Sequence, residues 1–456
     1  MKLKNNKILI VGLGKTGVST AKFLKQKGAI VTATDSNKEQ EQDNEVRSLI
    51  DLGVHLEIGY HKPESFEQAD MIILSPGVPH TIAPVKKAKA KGISVIGEIE
   101  MASRFIKEPI VAVTGTNGKT TTTTLLGEML TQSGFKVFVG GNIGNPLIDY
   151  AGSPEKADII VAEISSFQLD TIETFRPKVG VLLNIAEDHM DRYKDFNDYA
   201  RSKCRIFENQ KSSDVAVFNG ADPTTRSICR NIISKKLVFS NNGNLDSKEP
   251  GNNALISKTN ILFTINNKKT ESLEISSIKL PGSHNLENVA ASGLAAFAAG
   301  GSFKGIQLAI SSFKGLPHRF EYVTTINGVQ YFNDSKATNV HAVEKALHAF
   351  NVPVVLIMGG RNKDVDFHML ENSIRTHVKK LIVFGEAEEE IRSALGHITK
   401  TEIAASMDEA VAKAHASAEP GNAVLLSPAC SSFDMYNNYA ERGDNFREAV
   451  NGLKKG

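Results

Sequence analysis

Cysteine is scarce: three residues in 456, Cys204, Cys229 and Cys430, with no Cys-x-x-Cys spacing among them. That usage points to a reduced cytosolic compartment. Charge of one sign is also lacking, since 53 basic side chains stand against 51 acidic ones. No net field singles out nucleic acid or a membrane surface as the main partner. No apolar run approaches the roughly 20 residues of a membrane helix. Lysines before a short apolar run in Met1–Gly14 imitate a signal peptide, but Gly12-Leu13-Gly14 and Lys15 interrupt the run. No small-residue cleavage site follows. The expectation is a cytoplasmic chain with no membrane insertion and no nucleic-acid partner. What is present, 41% hydrophobic and 23% charged residues, is the make-up of an ordinary globular protein. The length accommodates two to four domains at roughly 150 residues each.

The most informative stretch is Thr114-Gly115-Thr116-Asn117-Gly118-Lys119-Thr120-Thr121, between the apolar run Ile110–Val113 and a helical segment expected over Thr122–Met129. Strand, glycine turn, Lys-Thr and helix make a nucleotide phosphate cradle. Glycines let backbone N–H groups converge, and the helix N-terminus adds partial positive charge. Lys119 supplies a point charge to the β/γ oxygens, and the Thr120 hydroxyl suits Mg²⁺. Val113 stands where a generic P-loop has its first glycine, so the loop is shorter than G-x-x-x-x-G-K-[ST].

A second fingerprint lies upstream. The strand Lys7–Val11 leads into Gly12-Leu13-Gly14-Lys15-Thr16-Gly17, then a helix expected over Val18–Gln26, then a strand ending in Asp35. Diphosphate on a helix N-terminus and sugar hydroxyls on a carboxylate is the chemistry implied. NAD, a UDP-sugar and an empty scaffold all meet that description. Met71–Leu74, the Ser75–Pro79 loop and Gly92–Gly97 continue this unit.

Downstream of the cradle come a second glycine turn, Gly140–Gly144, and a strand, Asp158–Glu163, with a carboxylate at its end, where a metal ligand belongs. Val179–Asn184 leads into Glu187-Asp188-His189-Met190-Asp191-Arg192-Tyr193. A lone histidine is most simply a surface residue, but this polar cluster after a nucleotide-type strand favours a metal or phosphate role for His189. Lys203 lies on an expected helix and in isolation reads as a solvated lysine. Residues 210–280 look like an elaboration, with strands at Ala254–Ser257 and Ile261–Ile265 and a turn at Asn266-Asn267. Asn285 and Asn288 open an alanine-rich helix, where one of them suits a simple cap. From Leu316 onward, buried strands at Val352–Met358, Leu381–Phe384 and Ala423–Leu426 alternate with polar loops, which puts chemistry at the C-terminal edge of a sheet. Cys430 reads as a small buried hydrophobe.

Taken together, Gly115–Thr120, Gly141–Gly144, Glu163–Leu169, Glu187–Tyr193, His284–Asn288, Leu316–Glu321, Asn333–Asn339, Gly359–Lys363 and Ser427–Asp434 are collinear, and the chain resembles the Mur ligases. Nearly the whole chain takes part, apart from 210–280. The G-I-G-G-I-G-M loop of the alanine-adding type and the D-N-P-R motif of the diaminopimelate-adding type are missing. The loop with Lys15 and Asp35 fits the D-glutamate-adding type. Folylpolyglutamate synthase is a more distant cousin.

The resemblance implies an α/β chain of three domains: a Rossmann-like UDP-binding domain (1–97), a central P-loop-type ATPase domain (98–315) and a C-terminal Rossmann-like domain (316–456). It implies a monomer acting on UDP-N-acetylmuramoyl-L-alanine and D-glutamate, using ATP and two Mg²⁺ ions. In this reading ATP meets Gly115, Thr116, Asn117, Gly118, Lys119, Thr120, Thr121, Asn288, Arg319 and Asp334. Thr120, Glu163, His189 and a carbamylated Lys203 hold metal. Gly14, Lys15, Thr16, Asp35, Ser36, Ser75, Asn142 and His189 take the UDP substrate, and Thr338, Lys363, Ser432 and Phe433 the D-glutamate. Lys119, His189, Lys203 and Arg319 form the catalytic set, and the third domain closes over ATP to exclude water. Three other readings remain. A folylpolyglutamate-type ligase shares the central domain but does not need a UDP-binding first domain. An NAD-dependent oxidoreductase leaves Lys119, Glu163, His189 and Arg319 idle. A non-catalytic ATP-binding regulator has no need of the metal ligands.

Overall fold

A computed structural model describes residues 2–241, 253–265, 269–280, 282–362 and 365–454. Lys363 and the turn expected at Asn266-Asn267 lie outside the described residues. The chain divides into two compact units: Met1–Ile185 with Arg192–Ile275 and Glu287–Ile310, and Ala186–Asp191 with Ser276–Leu286 and Ser311–Gly456.

The first unit holds two sheets. One is built from β1 (Lys7–Val11), β2 (Ile30–Asp35), β3 (His55–Ile58), β4 (Met71–Leu74) and β5 (Ser94–Gly97), in the order β3-β2-β1-β4-β5. All its pairings are parallel. Successive strands move outward from β1 in one direction and then start again on its other side at β4. The crevice between the ends of β1 and β4 is therefore the switch point, where ligands bind in such sheets. The other sheet comprises β6 (Ile110–Thr114), β7 (Val137–Gly141), β8 (Ile159–Glu163), β9 (Val179–Leu182), β10 (Val215–Asn219), β11 (Lys235–Asn241), β12 (Asn253–Ile256), β13 (Asn260–Ile265) and β14 (Lys269–Glu274). Their order is β14-β13-β12-β11-β10-β9-β6-β8-β7. Only the β12–β13 and β13–β14 pairings are antiparallel, so β13 alone runs against the others, next to one edge of the sheet.

The second unit carries β15 (Glu321–Ile326), β16 (Val329–Asn333), β17 (Val354–Gly359), β18 (Val378–Phe384), β19 (Lys400–Ile403) and β20 (Ala423–Leu426). They are ordered β15-β16-β20-β17-β18-β19, with β15 antiparallel. Strands β4, β6, β8, β17 and β20 are buried along their whole length. Helices cover both faces of such strands, so they read as continuous apolar runs rather than as alternations.

The helices begin earlier than periodicity predicts. They run over Lys15–Gln26 and Lys119–Gln132, not from Val18 and Thr122, and the alanine-rich helix starts at Ser283. Apolar spacing cannot register a first turn made of lysine, threonine, serine and asparagine. In the cradle, Gly118 takes the N-cap position at φ +85°, and the helix starts at once. Strand β3 pairs with β2 although its residues include His55 and Glu57, and β19 is mostly exposed. Neither has an apolar run that marks it.

Two buried carboxylates tie the first sheet to the second. The helix Glu98–Ser103 follows β5 directly. Glu98 accepts the backbone N–H of Ile148 at 2.6 Å, and burial pushes its pKa up to about 7. Glu100, also fully buried, accepts the N–H groups of Glu173, Thr174 and Phe175, the Thr174 hydroxyl and Arg104 Nε, at 2.6–2.9 Å. Burial alone raises the pKa of Glu100, but the hydroxyl, the backbone donors and Arg104 together outweigh it and hold it below the ordinary value.

Glu100→Ala orphans three backbone donors, and a loss of about 3–5 kcal/mol is expected in denaturant unfolding. Because the folded pKa is depressed, this stabilisation is present above the ordinary glutamate pKa and is lost as pH falls through the folded value. Unfolding of Glu100→Gln followed against pH should therefore show a shallower acid slope than wild type. Identical slopes would remove Glu100 from the acid response.

Candidate functional site

The cradle is held from below. Asn184, just past β9, accepts the Asn117 N–H on its Oδ1 at 2.9 Å and donates from Nδ2 to the Asn117 carbonyl at 3.0 Å. Its own carbonyl accepts the Thr116 N–H at 3.0 Å, and the Thr116 hydroxyl meets Tyr199 OH at 3.1 Å. Two glycines are obligatory here. Gly115 sits at φ +153°, with an added Cβ 3.0 Å from Leu183, and a Cβ on Gly118 would lie 2.3 Å from Asn288 Oδ1. Lys119 Nζ donates to the carbonyls of Gly115 and Thr116, both at 2.9 Å. Asn117 Nδ2 is buried with no hydrogen-bond partner among the described residues. Backbone donors opening a helix, a lysine and a spare amide donor together fit a polyphosphate.

Beside the loop, Thr120 Oγ1 donates to Glu163 Oε2 at 2.7 Å, and Asn142 Nδ2 donates to Glu163 Oε1 at 2.9 Å. Asn142 also gives its N–H to the Glu163 carbonyl at 2.8 Å. That approach requires Gly141, whose added Cβ would lie 2.5 Å from the same oxygen. A hydroxyl and a carboxylate within 2.7 Å of each other are hard oxygen donors and suit Mg²⁺ completed by phosphate oxygens. Among the described residues no group of three or more His, Cys, Asp and Glu side chains gathers as a metal cage.

Lys203 is not the solvated residue its helix suggests in isolation. It is 2% exposed, its Nζ donates to the Gly115 carbonyl at 2.9 Å, and it lies 4.5 Å from the centroid of the Tyr199 ring. The ammonium groups of Lys119 and Lys203 thus share one carbonyl.

A cavity of about 730 Å³ opens at the β1/β4 switch point. Gly14, Lys15, Thr16, Asp35, Ser36 and Ser75 of the first sheet's loops line it together with Asn142 and Gln168. Gly12 (φ +94°) packs against Ser75 and Val78, and Gly17 has no room for a Cβ, which would lie 1.9 Å from the Gly12 carbonyl oxygen. Asp35 fixes the loop by accepting the N–H groups of Leu13 and Asn37 at 2.7 and 2.8 Å. Lys15 reaches across to the Gly144 carbonyl at 2.8 Å.

The remaining predicted residues lie in the second unit. His189 has a left-handed backbone (φ +59°), and its Nε2 is 3.8 Å from Asp188 Oδ2. Arg319 lies between two left-handed residues, His318 and Phe320. Asp334 is buried just after β16 and accepts the Phe320 N–H at 3.0 Å and the Ser427 hydroxyl at 3.1 Å. Thr338 is half-buried, Ser432 is buried, and the side chain of Phe433 is 60% exposed. Burial pushes the Cys430 thiol up to about 12, as suits a packing residue. Sequence reasoning missed Asn184, Tyr199 and Arg442. Asparagine, tyrosine and a helical arginine carry no spacing signal, and only their contacts give them roles.

Residues 6–97 match the MurD-like N-terminal domain of Mur ligases, 113–296 the Mur ligase middle domain, and 318–430 the Mur ligase glutamate ligase domain. A UDP-N-acetylmuramoylalanine--D-glutamate ligase of Desulfosudis oleivorans is 52% identical over 99% of this chain and 98% of its own. The chain belongs to the Mur ligase family. A second such ligase, from Desulfatibacillum aliphaticivorans, is 49% identical over 99% of this chain and all of its own. Among solved Mur ligase structures, the fold is similar to a UDP-N-acetylmuramate-alanine ligase of Thermotoga maritima (TM-score 0.60, 19% identity, 98% of this chain and 100% of that one). A pseudomurein peptide ligase of Methanothermus fervidus is similar too (TM-score 0.62, 20% identity, 98% of this chain and 100% of that one). The three matched domains together make the α/β architecture of that family.

Burial raises the Asp334 pKa to about 7, against the opposing pull of the Phe320 N–H, Ser427 and Arg319. A carboxyl raised in this way is destabilising in its charged form. The folded protein should lose stability as pH rises from the ordinary aspartate value towards 7, at about 1.4 kcal/mol per pKa unit. Asp334→Asn should flatten that decline and raise Tm at pH 8. An unchanged Tm there would mean the carboxyl is not held neutral.

Proposed function

We propose that this chain joins D-glutamate to UDP-N-acetylmuramoyl-L-alanine in an ATP-dependent amide ligation, a cytoplasmic step of peptidoglycan precursor synthesis. One observation carries the reading: Asn142 lines the cavity, and Asn142 is hydrogen-bonded to the same Glu163 that accepts from Thr120 of the phosphate loop. A substrate whose nucleotide lies by Asp35 and Ser36 thereby brings its far end to the phosphate-transfer site. The domains proposed are 1–97, 98–315 and 316–456.

The chemistry follows from charge. A carboxylate is a poor electrophile, so the γ-phosphoryl group of ATP is transferred to the L-alanyl carboxylate, leaving ADP. The D-glutamate amine attacks the acyl phosphate, and the tetrahedral adduct collapses to the amide as phosphate departs with the bonding pair. Two anions must meet, which Lys119 and the N–H groups of the loop make tolerable. Thr120 and Glu163 would hold Mg²⁺, with His189 and Lys203 proposed for a second ion; the metal would neutralise phosphate charge and align the transfer. Two ammonium groups on one carbonyl repel each other. Carbamylation of Lys203 by CO₂ replaces that repulsion with attraction to Lys119 and supplies an anionic oxygen ligand. Arg319 and Asp334 are the proposed ATP contacts of the second unit, and Thr338, Lys363, Ser432 and Phe433 the D-glutamate contacts.

Phosphate release measured with ATP, Mg²⁺ and UDP-N-acetylmuramoyl-L-alanine should depend on D-glutamate and not on L-glutamate, with the matching amide as product. Release with a folate substrate in its place would overturn the assignment. Lys119→Ala should lower kcat on the order of 10³-fold. Isotopically labelled carbon dioxide should give a carbamate carbon resonance that Lys203→Arg abolishes; its persistence in that variant would place the modification elsewhere.

A further inference from the structure

Arg442, on the helix Tyr439–Gly452, is completely buried. Its Nε donates to Ser335 Oγ at 3.0 Å, and its Nη1 to the carbonyls of Gly359 and Ser431 at 3.3 and 3.2 Å. Its Nη2 donates to the carbonyls of Ser335 and Cys430 at 2.8 and 3.1 Å. A guanidinium has five N–H donors, so every one is used. All the acceptors are neutral, and among the described residues no carboxylate forms an ion pair with it. Burial lowers the Arg442 pKa to about 10, which leaves it charged at neutral pH. Burying that charge is costly; the carbonyl acceptors and the nearby Asp434 carboxylate, which favours the charged form, offset the cost.

The position of the acceptors explains the arrangement. Ser335 follows β16, Gly359 ends β17, and Cys430 and Ser431 follow β20, three neighbouring strands in the order β16-β20-β17. One planar group therefore fixes three successive loops at the C-terminal edge of the sheet. Thr338 lies on the first of these loops and Ser432 on the last. The loops close tightly: a Cβ on Gly360 would lie 2.2 Å from the Ser431 carbonyl oxygen and 2.9 Å from Arg442 Nη1. Asp434 acts on the guanidinium only at a distance, with no ion pair between them among the described residues. The carbonyl dipoles satisfy the donors without removing the net charge, so Arg442 contributes a positive field beneath the loops.

We infer that Arg442 is a positioning residue of the amino-acid site, locking its three loops and supplying the fixed positive field that favours a dicarboxylic over a neutral amino acid. This rests on reading the second unit as the D-glutamate-binding part. The guanidinium touches no substrate; it acts through the Ser335, Gly359 and Cys430–Ser431 backbone.

The test is steady-state kinetics of the full-length enzyme, wild type against Arg442→Lys, Arg442→Met and Ser335→Ala, with all three substrates varied. Ser335 Oγ accepts from Arg442 and donates to the Tyr439 carbonyl at 2.8 Å, so its removal loosens the clip while leaving the charge in place. Arg442→Met should raise KM for D-glutamate on the order of 10- to 100-fold, with KM for ATP unchanged. The preference for D-glutamate over D-glutamine should fall in Arg442→Met and survive in Arg442→Lys and Ser335→Ala. A folding defect would lower apparent kcat and leave KM for D-glutamate unchanged; that outcome, equal shifts in all three KM values, or variants that match wild type would each overturn the inference. If Arg442→Met does not fold, the other two variants still decide, since both should raise KM for D-glutamate selectively. A wild-type enzyme with no D-glutamate-dependent turnover would instead bring down the proposed function, and this inference with it.

Discussion

Glu163 is the residue on which the first unit turns. It ends a fully buried strand, and its two carboxylate oxygens are claimed from opposite sides, by Thr120 of the phosphate loop and by Asn142 of the following glycine turn. A buried carboxylate is tolerated only where donors satisfy it, so its presence dictates both neighbours. Gly141 must lack a side chain for Asn142 to approach, and Gly118 must lack one for Asn288 to approach. The cavity at the first sheet and the cradle at the second meet through this one group.

The second unit answers a different constraint. Its sheet edge bears a buried aspartate, Asp334, and a buried arginine, Arg442, each fixed by hydrogen bonds to neutral groups. Each joins the end of β16 to the end of β20, directly through Ser427 in one case and through Cys430 and Ser431 in the other. Loops that would otherwise be independent are thereby made into one surface. Rigid loops on a packed sheet are the arrangement that positions substrates accurately.

Much of the site was legible because glycine and lysine in a phosphate loop follow local rules. Gly115, Gly118 and Lys119 could be read directly, as could the Gly12–Gly17 turn and Asp35, since backbone conformation and helix dipoles act over a few residues. Lys203 was legible only by resemblance. Its helix reads as ordinary, and burial against Gly115 and Tyr199 comes from a packing that no short window encodes. The helices start at Lys15 and Lys119, ahead of where apolar periodicity marks them, because that periodicity is silent about polar first turns.

The sequence by itself determined which strands are central, where the glycine turns fall and that a glycine turn with Lys-Thr opens the helix Lys119–Gln132. Those features depend on continuous burial and on backbone freedom at single residues, which are local. The tertiary structure alone decided that Asn142 and Thr120 share Glu163, that Lys15 reaches Gly144, and that Arg442 gathers three loops. Each of those contacts joins residues far apart in the chain, and side-chain hydrogen bonds of that kind exist only once the sheets have set their strand order.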